Sequence, residues 1–162
     1  MKRLKKGSYN YMKEDKEKRE LSDQIIKSFG KEKQDTNLLS PLNLAYIGDA
    51  IYEVVIRTIV LEEGNAPVNR LNAKARELVK AKSQAVFMQN LLKANLLTQK
   101  ELSIYKRGRN AKSNTSAKNA SLQDYHTATG FEALLGYFYL EGQMEHLLEI
   151  IKQAIELSGF EL

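Results

Sequence analysis

The run Leu42-Asn43-Leu44-Ala45-Tyr46-Ile47-Gly48-Asp49-Ala50-Ile51-Tyr52-Glu53 holds a carboxylate, Asp49, inside apolar sequence of helical character. A charge drawn into apolar surroundings is costly unless it is paired or binds a metal. A second run, Thr129-Gly130-Phe131-Glu132-Ala133-Leu134-Leu135-Gly136-Tyr137, repeats the arrangement around Glu132. Two acids from distant parts of the chain, each in a greasy helix and each near a glycine, predict one metal site built from two helices. The alternative for either acid is structural, a buried carboxylate bonded to a neighbouring helix or to an arginine. The match between the two runs favours the metal. Gly48 and Gly130 admit two readings, close approach of helices or access of a metal or phosphate to the neighbouring acid.

Outward from Asp49 the chain reads as helices joined by short breaks, with no strand pattern. Ser40-Pro41 is an N-cap followed by proline at the first helical position. The helix it opens is predicted to run to about Glu63 and to stop at Gly64-Asn65. Apolar residues cover more than one of its faces, which predicts a central helix or one at a subunit interface. Pro67 opens a second helix, and a further unit over 83–95 is either separate from it or continuous with it. Thr98 caps a short helix expected to end near Tyr105. Residues 106–120 are polar and without periodicity, and predict a loop long enough to be functional. Ser121 caps the helix that carries Glu132, Gly142 interrupts it, and Met144–Leu157 form a last amphipathic helix. The fold class is all-α. Residues 1–37 are highly charged and read as a mobile extension with one docked helix, its stripe Leu21, Ile25 and Phe29; residues 38–162 read as the domain.

Charge is segregated along the chain. Residues 65–120 carry twelve Lys or Arg against two acids, whereas residues 121–162 carry one Lys against seven acids. Uneven surface decoration is the bland account. A polyanion-binding face explains the clustering better. The candidates to grip phosphates are Arg70, Lys74, Lys80, Lys106, Arg107, Arg109, Lys112 and Lys118. Arginine suits bidentate phosphate contact, and Gly108 is expected to let the backbone approach the ligand. The chain has no cysteine, so disulfides and zinc–thiolate sites are excluded. It has neither a membrane-spanning run nor a secretory signal, and a soluble cytoplasmic protein without an organic cofactor is expected.

Hydrolysing a phosphodiester needs an activated water, neutralised charge and a stabilised leaving oxygen. Divalent metals serve all three needs, and magnesium is held through one or two carboxylates. Asp49 and Glu132 meet that requirement. Glu53 shares the face of Asp49 but is read as solvent-facing. His126 lies off the face of Glu132 and is read as a surface or RNA-contact residue, not a general base. No Ser-His-Asp, Cys-His, Walker or His-metal pattern is present.

Leu44-Ala45-Tyr46-Ile47-Gly48-Asp49-Ala50 resembles the signature helix of the ribonuclease III catalytic domain, and Phe131-Glu132-Ala133-Leu134-Leu135-Gly136 resembles its second acidic helix. Arg107-Gly108-Arg109-Asn110-Ala111-Lys112, followed by Tyr125 and Thr129-Gly130-Phe131-Glu132, looks like the Mini-ribonuclease III subgroup. The resemblance covers roughly residues 38–160. It implies an all-helical endonuclease fold that forms a homodimer and binds double-stranded RNA. It further implies Mg2+ as cofactor, with Mn2+ as a substitute, and maturation of the ends of 23S ribosomal RNA precursors. By the same resemblance Asp49 and Glu132 are the catalytic, metal-holding acids and Tyr46 an aromatic at the dimer interface. The alternative for Tyr46 is a buried aromatic within one subunit. The chain departs from classical ribonuclease III at Leu42, Ala45 and Thr129, where that enzyme carries acids. This matches the Mini subgroup and leaves the number of metals open. With no RNA-binding domain expected after the catalytic one, binding would fall on the domain's own basic surface and depend strongly on salt. A non-catalytic RNA-binding module on the same fold is the second hypothesis, and a helical interaction protein with structural acids the third.

Overall fold

A computed structural model describes residues 20–112 and 121–162. Among these residues the secondary structure is helical throughout, with no strand. The helices are α1 (Leu21–Ser28), α2 (Pro41–Glu62), α3 (Val68–Val79), α4 (Ala81–Lys93), α5 (Gln99–Asn110), α6 (Leu122–Leu140) and α7 (Met144–Leu157), with a short 3₁₀ turn at Thr36–Leu38. Their starts follow local chemistry. Ser40 Oγ accepts from Asn43 N at 3.2 Å with Pro41 at the first turn, and Ser121 Oγ accepts from Asp124 N at 3.0 Å. Thr98 and Glu101 form a complete capping box.

Helix α6 is the axis of the fold. It is buried without a break from Thr127 to Phe131 and again from Ala133 to Tyr139, and it packs against α2, α4, α5 and α7. Phe131, Leu134, Leu135 and Phe138 are fully enclosed, each contributing about 1.5–3 kcal/mol of burial. Tyr52 on α2 packs edge-on against Phe131, with ring centroids 5.6 Å apart, and its hydroxyl donates to the Leu78 carbonyl at 2.7 Å. That bond ties α2 to the end of α3.

Glycines let α6 touch its neighbours backbone to backbone. A Cβ on Gly48 would lie 1.7 Å from the Glu132 carbonyl oxygen, and one on Gly136 would lie 1.9 Å from that of Leu44. At the α5–α6 crossing a Cβ on Gly108 would lie 2.7 Å from Ala133 Cβ, and one on Gly130 would strike the Tyr105 ring. The close-approach reading of Gly48 and Gly130 is therefore the observed one.

Two expectations need correction, and one left open is decided. Helix α5 does not end near Tyr105 but continues to Asn110, so residues 106–110 are helical, not loop. Ile104, Tyr105 and Gly108 keep a buried stripe going, and the glycine that hides it from a composition reading is there for packing on α6, not for contact with phosphate. The unit over 83–95 is separate from the helix before it, because Lys80 is extended at the junction of α3 and α4. On α1 the stripe expected to dock faces outward: Leu21 and Ile25 are exposed, Phe29 is 74% exposed, and Ser22 is the buried residue.

Candidate active site

Helix α2 brings Asp49 and helix α6 brings Glu132 to one place. The Gly48 contact with the Glu132 main chain leaves no room for a side chain between the two helices. The carboxyls interact directly, through a side-chain hydrogen bond and through charge. Glu132 is half-buried. Burial first, and then the charge of Asp49, push its pKa up to about 8, against a smaller lowering by Gln84. Asp49 is an exposed residue, which corrects the expectation of a charge enclosed in apolar helix. Partial desolvation of its carboxyl, then Glu53, still raise it, while the bond with Glu132 opposes the rise. Helix α2 is apolar on several faces, and the face beside Asp49 is uncovered in the single chain. Tyr52 is also held well above the usual phenol range, by burial and then by Glu132 and Glu53.

Glu53 is half-exposed and pairs with Arg57 at 2.9 Å, as a solvent-facing glutamate should. No group of three or more His, Cys, Asp or Glu that could hold a metal exists among the described residues. What is present is a pair of facing carboxylates. That donor set suits a hard, mostly hydrated dication such as Mg2+, which needs only one or two carboxylates from the protein. A dication between Asp49 and Glu132 would also offset the Asp49 charge that, after burial, raises Glu132.

Gln84 was missed by the sequence reading. It is only 2% exposed, and its amide nitrogen donates to Val79 O at 2.8 Å and to Glu132 Oε1 at 3.1 Å. A signal existed. Gln84 precedes Phe87, Met88 and Leu91 at helical spacing, so it occupies their buried face. A polar residue at a core position needs a partner.

The basic candidates divide into free and engaged cations. Lys74 pairs with Glu63, and Lys80 pairs with Glu77 at 2.6 Å. Arg70 is exposed beside Lys74 on a hollow of about 290 Å³ at the α2–α3 turn. Lys106 and Arg107 are exposed on the last turns of α5, and Lys112 is exposed just beyond it. Arg109 is half-buried, lying 5.5 Å over the Tyr105 ring. It borders a groove of about 690 Å³ between α4, α5 and α6 that His126 also lines. Lys118 lies outside the described residues. Tyr46 is 81% exposed, so it is not a core aromatic of one subunit. Leu42, Val54 and Leu61 are exposed on the same helix. No helix of the described residues is long and apolar enough to cross a membrane.

Comparison with known proteins agrees with this architecture. The ribonuclease III domain model matches residues 42–143. A Mini-ribonuclease 3 of Clostridium tetani is 50% identical over 126 residues, covering 77% of this chain and 82% of the relative. One from Enterococcus faecalis is 48% identical over 126 residues, covering 78% of this chain and 96% of the relative. The crystal structure of a Fusobacterium nucleatum protein superposes with a TM-score of 0.68 at 32% identity, covering 76% of this chain and 97% of that one. With its two acidic helices crossing at glycine inside the matched region, the chain belongs to the ribonuclease III domain family, in its Mini-ribonuclease 3 group, and is a ribonuclease III-type endoribonuclease.

Proposed function

We propose that this protein is a divalent-metal-dependent endoribonuclease that cuts double-stranded RNA as a homodimer. Mg2+ is its working cation, with Mn2+ able to replace it. The observation that carries the reading is the facing pair Asp49 and Glu132, with Glu132 pushed up to about 8. Two carboxylates held together at that cost are wasteful in a scaffold and useful around a dication. When bound, the cation supplies an activated water and neutralises charge on the scissile phosphate.

The chain's own groups do the rest. Asp49 and Glu132 hold and orient the cation, and the glycine-lined crossing sets the distance between them. Lys106, Arg107, Arg109 and Lys112 bind the duplex backbone, with Lys118 in the same role. Arg70, Lys74 and Lys80 extend the surface, the latter two after leaving Glu63 and Glu77. Recognition rests on the shape of A-form RNA and its phosphates. Leu42, Tyr46, Val54 and Leu61 form the apolar face through which two copies associate, one active site per strand. The natural substrate is the precursor of 23S ribosomal RNA, processed in the cytoplasm. The charged residues 1–37 are an extension to the domain at 38–162.

The test is cleavage of a long perfect RNA duplex in Mg2+ by the native protein and by Asp49→Asn. Native cutting that vanishes in the variant, with duplex binding kept, supports the reading. Binding without cutting by either protein in Mg2+ and in Mn2+ refutes it in favour of a non-catalytic RNA-binding module.

A further inference from the structure

We propose that Gln84 is a positioning residue for the metal site: its amide fixes the Glu132 carboxylate by one oxygen and leaves the other for the cation shared with Asp49. The inference rests on the reading of Asp49 and Glu132 as metal-holding acids.

The geometry of the amide carries the argument. A glutamine side chain offers two N–H donors on one atom and one acceptor on the other. Here both donors are spent, on Val79 O at 2.8 Å and on Glu132 Oε1 at 3.1 Å. Both partners are pure acceptors when Glu132 is ionised, so turning the amide over would set an oxygen against two oxygens. The orientation of Gln84 is thus decided by its neighbours. The side chain cannot drift either, because the residue is 2% exposed and lies on the α4 face that carries Phe87, Met88 and Leu91 into the core.

The price of that orientation is visible. Gln84 Oε1 is buried with no hydrogen-bond partner among the described residues. A core position filled for stability alone would favour an apolar side chain, since an unmade hydrogen bond at a buried carbonyl is a cost. What the amide gains is a link between three elements. It joins the last residue of α3 to α4 and then to Glu132 on α6. The carboxylate is held from behind, from the protein side, while Asp49 meets it from α2. Metal ligands held in this way by an outer hydrogen bond bind more tightly because less ordering remains to be done on binding.

The experiment measures Mn2+ binding to the full chain without RNA, by the loss of the free-ion EPR signal. Native protein is compared with Gln84→Met, Gln84→Asn and Asp49→Asn. Methionine matches the length of glutamine without donors, and asparagine keeps the amide but withdraws it from Glu132; if the methionine variant does not fold, the asparagine variant decides. The expected result is an Mn2+ affinity about tenfold or more below native for the Gln84 variants. Metal-free duplex affinity should stay unchanged, and in cleavage the loss should fall on kcat, not KM. A Gln84 variant that melts earlier but binds Mn2+ with native affinity would show a purely structural glutamine and overturn the inference alone. If Asp49→Asn also binds Mn2+ as the native protein does, the metal-site reading itself fails and the inference with it.

Discussion

Replacing Glu132 with glutamine should make the metal-free protein more stable while abolishing its activity. The folded protein raises the Glu132 carboxyl from 4.5 to about 8, through burial and then Asp49. An acid raised in this way binds its proton more tightly folded than unfolded. Its contribution is therefore neutral below about pH 4.5 and becomes a growing penalty as pH rises towards 8. At about 1.4 kcal/mol for each pH unit, the gap between 4.5 and about 8 sets an upper limit near 5 kcal/mol. Because Asp49 titrates jointly with it, about 2–4 kcal/mol is the expected share. Glutamine keeps the shape. Its oxygen still accepts from Gln84, and its amide gains a donor towards Asp49. The assay is urea unfolding of Glu132→Gln and native protein in EDTA, at one protein concentration, at pH 5 and pH 8.5. Native and variant should differ little at pH 5, and the variant should be the more stable by about 2–4 kcal/mol at pH 8.5. Mg2+ should recover the deficit of the native protein and leave the variant unmoved. A variant no more stable than native at pH 8.5, or a gain equally large at pH 5, would refute the electrostatic argument.

Gly48→Ala gains up to about 1 kcal/mol of helix propensity but drives a methyl into the Glu132 carbonyl. A net loss of about 1–3 kcal/mol in thermal unfolding and a roughly hundredfold fall in duplex cleavage are expected, and near-native values for both would contradict the crossing described above. Replacing Lys106 and Arg107 with alanine should weaken duplex binding and lower the slope of log affinity against log salt by about one per side chain; an unchanged slope would remove them from the RNA surface. Tyr46→Glu places a charge in the exposed apolar face of α2. By the proposed association through this face, sedimentation should show a dimer for the native protein and a monomer for the variant at the same concentration, and a variant that sediments as a dimer would move the interface elsewhere.

Most of the fold was legible because its signals are local. Ser40-Pro41, Thr98 with Glu101, and Ser121 are caps that announce themselves within four residues. The pairing of Asp49 with Glu132 was legible from the likeness of two greasy runs, and α2 and α6 do bring them together. What failed depended on the neighbours. The tail of α5 looked like loop because its buried position is Gly108, which has no side chain to mark a stripe. Asp49 looked enclosed because the apolar faces of α2 do not say which are covered by another helix and which lie open. Lys74 looked like a free cation because Glu63 reaches it only once α2 and α3 are placed, whereas Glu77 stands one turn before Lys80, a local spacing that the charge count passed over. Gln84 was passed over because its importance is a contact forty-eight positions away.

The α2–α6 crossing has a consequence for how this protein can change. Side chains at a helix contact are adjustable spacers, and exchanging one for another moves the helices by fractions of an ångström. Here the spacer is main chain on both sides, at Gly48 with Glu132 and at Gly136 with Leu44. The gap between the two acids cannot be narrowed by any substitution at that contact, because nothing smaller than glycine exists, and every other residue can only widen it. Variation is therefore channelled to the rim, into the residues that surround the acids and meet the ligand. A lineage could retune affinity or substrate choice many times over while the distance across its two carboxylates stayed where the backbone left it.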